Sequence, residues 1–343
     1  MEACRLAQEQ PILVSESERE RRCLSEENFR QAALLLHTRG YVIFKGAIPM
    51  EVANEASGRF ETIFRDCVAS KSGDGWYQVA GETQAVFWER NCRWRIFPKL
   101  RYPFGSSWIS ANPFARQLLQ FFLGAGFYCK FVSSDTCLKG ALIQSPHREL
   151  GAGDAWIPRA YVINVPLCYC GLENGPLEVW YGGSHLWRNE VLRSLDLRDD
   201  VQDGENPEME RLAKMFPSRR IVLELGDLLV RDPGLLHRGT VNNTDQPRSM
   251  LTVCYFREGE DHSYGNVEYS LDGEIWEGLE PEVREVFAYA FLSKTKEDAV
   301  SAPEAETISP PKPTLQQRRQ GFRWPWFRPH GKSTGASAPS SKK

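Results

Sequence analysis

Gly226-Asp227-Leu-Leu-Val-Arg-Asp-Pro-Gly-Leu-Leu-His237-Arg-Gly-Thr-Val-Asn242-Asn-Thr-Asp-Gln-Pro-Arg248 is the stretch on which the fold turns. A Gly-Asp turn opens it, a short apolar run follows, and the Leu235-Leu236 pair leads into His237. A polar turn through Asn242-Asn243 then separates this run from another that starts near Arg248. Antiparallel pairing across that turn would set His237 and Arg248 about 7–8 Å apart as a diagonal cross-strand pair. Such a separation suits a five-carbon diacid, chelated at one end by a metal and gripped at the other by a guanidinium fork. The plain alternative is a surface arginine in a hairpin.

Working upstream, Gln144-Ser-Pro-His147-Arg-Glu149 supplies a second cluster. On a strand, side chains alternate, so His147 and Glu149 share a face and Arg148 takes the other. A His and a carboxylate two residues apart occur often by chance, and alone they would read as a surface pair. With a second His downstream they become a candidate 2-His-1-carboxylate set, the donor pattern that suits mononuclear iron(II).

The surroundings of these clusters set the architecture. From residue 128 to 257 short apolar runs (128–132, 138–143, 159–169, 177–181, 220–225, 228–231, 249–256) alternate with turn signals such as Ser133-Ser134-Asp135, Asn174-Gly175 and Gly182-Gly183. Many short strands joined this way predict a mainly β fold, a sandwich or jelly roll with flanking helices. Helices are expected at Ser25–Thr38, with Ser25 as N-cap, at Met50–Ser70, and at Pro281–Ser293. Residues 72–110 carry nine aromatics together with Arg90, Arg93, Arg95 and Arg101. They read either as packing under an irregular loop or as a lid over an apolar substrate.

Three segments are expected: a polar N-terminal extension over 1–24, a β-rich domain over 25–300, and a tail over 301–343 whose Pro/Ser/Lys/Gly-rich composition cannot form a core. The formal net charge is −3, and from Leu315 onward seven Lys or Arg stand without any acid. The main body is therefore acidic and poorly suited to a nucleic-acid backbone. Nine cysteines without a C-x-x-C pair read as buried free thiols of a reducing compartment. Without an apolar leader or a membrane-length apolar run, a cytoplasmic location is expected. The tail's Arg323-Trp-Pro-Trp-Phe-Arg328 reads as solvated, with contact to an anionic membrane surface as the alternative.

Both clusters, in this order and with Arg248 eleven residues after His237, resemble the phytanoyl-CoA dioxygenase family of iron(II)- and 2-oxoglutarate-dependent oxygenases. Gly40-Tyr-Val-Ile-Phe-Lys-Gly46 resembles that family's opening strand, and Glu173-Asn-Gly-Pro-Leu-Glu-Val-Trp-Tyr-Gly-Gly-Ser-His185 its "ENGPL…PGSH" segment. The resemblance runs from about Ser25 to Arg257 and implies a double-stranded β-helix core. It implies His147, Glu149 and His237 as ligands of Fe(2+) and Arg248 as clamp on 2-oxoglutarate, with Gln144 as a further co-substrate contact. His185 then serves the fold alone.

Two positions depart from the pattern. Glu149 replaces the commoner Asp, and Gly239 stands where several relatives place a co-substrate-binding Ser, leaving Thr240 as the nearby hydroxyl. A carboxylate at 149 favours hydroxylation or a related oxidation. The implied reaction oxidises a C–H bond of a small, largely apolar molecule or acyl thioester with O2, giving succinate and carbon dioxide. The alternatives are a jelly-roll metalloenzyme of another reaction class, hydrolase or isomerase, and an inactive scaffold or membrane-surface protein working through its tail.

Overall fold

The computed structural model describes residues 11–71, 75–79, 83–88, 91–150, 158–197, 206–260 and 267–301. Twelve strands occur among them: β1 Ile12–Leu13, β2 Tyr41–Lys45, β3 Gly75–Val79, β4 Thr83–Trp88, β5 Arg93–Phe97, β6 Phe127–Cys137, β7 Ala160–Pro166, β8 Leu177–Val179, β9 Arg219–Arg220, β10 Leu228–Arg231, β11 His237–Gly239 and β12 Arg248–Arg257. The helices are α1 Glu16–Arg21, α2 Glu26–Arg39, α3 Met50–Ala69, α4 Ser107–Ser110, α5 Pro113–Leu123, α6 Asn189–Ser194, α7 Pro207–Ala213, α8 Gly273–Gly278 and α9 Pro281–Ser301. The chain divides into two compact units, Met1–Ala299 and Val300–Lys343. The expected tail lies outside the described residues from 302 onward.

One large sheet runs in the order β1-β2-β10-β7-β12-β6-β5-β4-β3, and a small sheet in the order β11-β8-β9. Isolated bridges His147↔His237 and Cys170↔Leu223 extend the small sheet. From β6 onward the chain crosses repeatedly between the sheets: β6 large, His147 small, β7 large, β8 and β9 small, β10 large, β11 small, β12 large. That alternation is the double-stranded β-helix, a jelly roll closed by two sheets.

Side-chain alternation gives the large sheet two different faces. Val42, Phe44, Val230, Ile163, Leu251 and Val253 pack beneath the helices with Leu36, Phe60, Leu118 and Phe287. Burying each such side chain contributes roughly 1.5–3 kcal/mol. The opposite face meets the small sheet, where Tyr41, Ile43, Leu229 and Met250 pack on Val179, Ile221, Leu223 and Leu235. Beyond this apolar half the same inner face opens into a cavity.

Several expectations change. Residues 12–22, placed by the sequence in an unpacked extension, are built into the fold. Ile12 pairs in parallel with Phe44, and Ser15 closes a capping box on α1. A two-residue strand is too short to announce itself by periodicity. Ser133-Ser134-Asp135 lies within β6 and is not a turn, because Ser133 and Asp135 line the cavity from that strand. Residues 138–143 form no strand, and only Arg220 of the run 220–225 lies in one. His237 and Arg248 do not form a hairpin: β11 lies in the small sheet and β12 in the large one. A polar turn looks the same in sequence whether it joins neighbours or crosses between sheets. The helix expected at 281–293 extends to Ser301.

The Gly226-Asp227 turn has a clear role. Asp227 is buried and accepts from the Lys45 ammonium and from the Glu224 N–H, both at 2.7 Å, tying β2 to the entry of β10. Asp227→Ala removes the partner of the Glu224 amide and of the Lys45 ammonium, and an unfolding titration should show a loss of about 2 kcal/mol. All eight cysteines among the described residues are free. No helix among those residues is long and apolar enough to cross a membrane.

Candidate metal centre and its cavity

His147 and His237 face each other as a directly hydrogen-bonded antiparallel pair, with each N–H donating to the other's carbonyl at 2.9 Å. Directly opposed residues project their side chains to the same side, and the two ring centroids lie 4.4 Å apart. Two residues beyond His147, strand alternation brings Glu149 to that side as well, and its N–H is anchored on the Pro233 carbonyl at 3.0 Å. Glu149 Oε1 lies 3.8 Å from His147 Nε2 and 3.6 Å from His237 Nε2. One donor atom from each residue falls within 4.8 Å of the other two. Arg148 turns the opposite way and bonds the Trp187 carbonyl and the Asn189 amide oxygen, both at 2.9 Å.

Both rings are oriented by one local device. His147 Nδ1 sits 2.8 Å from the Ser145 carbonyl, and His237 Nδ1 sits 2.8 Å from the Leu235 carbonyl. A carbonyl cannot donate, so each Nδ1 carries the proton and each Nε2 presents a lone pair to the centre. Burial, with the charges of Arg231 and His147, pushes the His237 pKa down to about 4 against the pull of Glu149. Burial would raise the Glu149 carboxyl, but its contacts with the His147 and His237 rings outweigh burial and hold it well below its ordinary value. At neutral pH His237 is therefore neutral and Glu149 ionised, the protonation states that divalent metal binding requires. Two imidazoles and one carboxylate, with the cavity side open, fit iron(II).

The cavity encloses about 350 Å³, toward the small end of ordinary small-molecule sites. Its walls include Phe131, Val162, Pro233 and Phe256, and its polar groups include Gln144, Glu149, Asp135, Arg93 and Arg231. The aromatic segment divides its labour. Phe87, Trp94 and Ile96 are buried packing residues, while Arg93, Arg95 and Asn91 line the cavity. Arg101 pairs with Glu274 at an exposed site, and Arg90 lies outside the described residues.

The other expected site residues fall as follows. Gln144 lines the cavity, and its Oε1 accepts from the Gly239 N–H at 2.8 Å. Thr240 is buried and donates its hydroxyl to the Pro176 carbonyl at 2.6 Å, away from the cavity walls. His185 is buried and bonds the His37 carbonyl at 3.0 Å. Arg248 is 1% exposed. Its Nε donates to the Gly175 carbonyl at 2.9 Å and its Nη1 to Asp135 Oδ2 at 2.8 Å. Arg93 Nη1 approaches the other Asp135 oxygen at 3.6 Å. Burial opposes ionisation of Asp135, yet Arg248 and Arg93 hold its pKa at about 2.

Asp135 and Arg231 were not singled out by sequence, and Arg93 stood out only as one of four arginines in the aromatic segment. The signal was plainest for Arg231, a charge ending an otherwise apolar strand; Asp135 and Arg93 sit among other polar residues of their strands. Gly239 is explained by Arg93. A Cβ at 239 would lie 2.7 Å from Arg93 Nη2 and 2.7 Å from Gln144 Oε1, so the missing side chain makes room for the guanidinium. Gly239→Ser should displace Arg93 and destabilise the fold by roughly 1–3 kcal/mol, read as a lower Tm.

Residues 131–250 match the profile of the phytanoyl-CoA dioxygenase (PhyH) family. Similar solved structures include EvdMO1, at 20% identity and TM-score 0.47, covering 67% of this chain and half of that one. The epimerase SnoN, in complex with Fe3+, alpha ketoglutarate and nogalamycin RO, is 16% identical with TM-score 0.48 over 73% of this chain and 98% of its own. EctD from S. alaskensis with bound Fe is 16% identical with TM-score 0.47, over 72% and 81% respectively.

Proposed function

We propose that the chain, whose residues 131–250 match the phytanoyl-CoA dioxygenase family profile, is an iron(II)- and 2-oxoglutarate-dependent dioxygenase hydroxylating a C–H bond of a small organic molecule or acyl thioester. This reading is carried by the convergence of His147, Glu149 and His237 on one point, at which Glu149 also lines the cavity. Bound iron with 2-oxoglutarate would supply dioxygen activation, with succinate and carbon dioxide as co-products.

The chain's own residues do the positioning. His147 and His237 present oriented Nε2 lone pairs, and Glu149 contributes the anionic donor. Arg93 and Arg248 share the single carboxylate of Asp135, so this cluster keeps one net positive charge. That charge suits the far carboxylate of the co-substrate, with Gln144 beside it. The plain arginine clamp expected from sequence thus becomes a three-residue cluster. Phe131, Val162 and Phe256 would hold an apolar substrate body and keep water from the centre. We assign the domain to 25–300 preceded by a packed N-terminal segment, and place the protein in the cytoplasm.

A hydrolase or isomerase on the same ligands would leave the positive cluster without a partner, which favours the oxygenase. Anaerobic titration of the purified protein should give one Fe(II) per chain and saturable binding of 2-oxoglutarate that depends on the metal. Failure to bind 2-oxoglutarate with iron in place would overturn the reading.

A further inference from the structure

Arg231 has no place in the machinery described so far, and its environment demands an explanation. It closes β10 on the inner face of the large sheet, between Tyr41 of β2 and Val162 of β7. The residue is 5% exposed and lines the same cavity as Glu149. Its Nε donates to the Asn164 amide oxygen at 3.2 Å, while its buried Nη1 has no hydrogen-bond partner. No carboxylate among the described residues comes within 4.0 Å of it. A buried guanidinium with a neutral partner and an orphaned N–H is costly unless an anion completes it.

The balance of charge around the cavity points the same way. Three guanidiniums (Arg93, Arg231 and Arg248) are at most 5% exposed, and Arg95, less buried, lines the same cavity. Against them stand two carboxylates, and Glu149 is engaged with the imidazoles while Asp135 is shared between Arg93 and Arg248. The distal carboxylate of 2-oxoglutarate would satisfy the Arg93–Asp135–Arg248 cluster and leave Arg231 unmatched. We propose that Arg231 binds a carboxylate of the substrate to be oxidised, so that the cavity selects small carboxylic acids with an apolar body. One guanidinium with one orphaned N–H suits a monoanion, and a phosphate dianion would leave charge unpaired. The apolar body then lies along Val162, Cys254 and Phe256, which line the cavity from neighbouring strands.

This inference rests on the iron- and 2-oxoglutarate reading of the site, and its test separates the two. Octanoate and methyl octanoate, equal in apolar body and different in charge, are titrated anaerobically into iron-loaded protein saturated with 2-oxoglutarate. Binding is read by calorimetry for the wild type, Arg231→Gln and Arg231→Lys. The wild type should prefer octanoate by roughly tenfold or more, as a charge-assisted contact implies. Arg231→Gln should lose that preference, Arg231→Lys should keep part of it, and the 2-oxoglutarate Kd should stay within about threefold in both.

Thermal unfolding of the apo variants checks that each is folded. It also carries its own expectation: removing an unpaired buried charge should leave Tm unchanged or raise it, whereas a structural arginine would lower it. Equal binding of acid and ester by the wild type overturns the proposal, as does an intact preference in Arg231→Gln. A large rise in the 2-oxoglutarate Kd with octanoate binding untouched would assign Arg231 to the co-substrate and overturn it equally. Should the wild type bind neither iron nor 2-oxoglutarate, the oxygenase reading falls, and the octanoate preference measured on the same protein still decides the role of Arg231.

Discussion

Replacing His237 with alanine is expected to strip the protein of iron and to reduce succinate formation by more than two orders of magnitude. His237 supplies one of the three donors that converge among the described residues, and its Nε2 is held toward the centre by the bond from Nδ1 to the Leu235 carbonyl. Losing a residue that merely orients a ligand already costs roughly 10–100-fold in metal affinity or activity, so removing the ligand itself should cost more. The backbone of residue 237 still pairs with 147 and 179, so the fold should persist and far-ultraviolet circular dichroism should be unchanged. Iron content and succinate yield decide the matter, and a variant that keeps both would refute His237 as a ligand.

A second large effect is expected at Asp135, this time in stability. Its carboxylate is the shared counter-ion of Arg248 and Arg93. Asp135→Asn keeps the shape but leaves two buried guanidiniums facing each other. Breaking a buried pair costs ~3–5 kcal/mol, and because the Asp135 side chain is 34% open to the cavity the lower part of that range applies. The same change strengthens the positive cluster, so 2-oxoglutarate should bind more tightly to the variant even as it unfolds more easily.

The pH dependence has a definite sign. The folded pKa of about 2 lies below the ordinary 3.8, so this interaction stabilises the wild type fully above about pH 5 and is lost as pH falls toward 2. The gap in Tm between wild type and Asp135→Asn should therefore narrow over that interval. A constant gap would show that the charge is not what matters.

Much of the metal centre was legible in the chain itself. Period-two alternation predicts that His147 and Glu149 share a face, and the segment around His237 has the look of a strand edge with a turn on either side. The positive cluster was only half legible. Arg248 could be picked out by its distance along the chain from His237, but its partner Asp135 hides in Ser133-Ser134-Asp135, three residues whose local chemistry favours a turn. They form a strand because β12 pairs with β6 along its length and the inner face there is polar.

Arg93 and Arg231 were hidden for a different reason. Whether a charge on a strand faces solvent or cavity depends on which sheet the strand joins, and no local pattern encodes that. The polar turn after His237 illustrates the same limit, since it serves a crossing between sheets as readily as a hairpin. Gly239 marks the other side of this coin. A glycine that looks like a missing serine in sequence is, in the fold, the space occupied by an arginine from a strand about 145 residues earlier.

His147, Glu149 and His237 should share a single metal position, which diffraction at the iron absorption edge from crystals grown anaerobically with Fe(II) would locate. One anomalous peak bounded by His147 Nε2, His237 Nε2 and a Glu149 carboxylate oxygen is the result expected. A peak elsewhere, or full iron loading with any of these three side chains turned away from the metal, would contradict it.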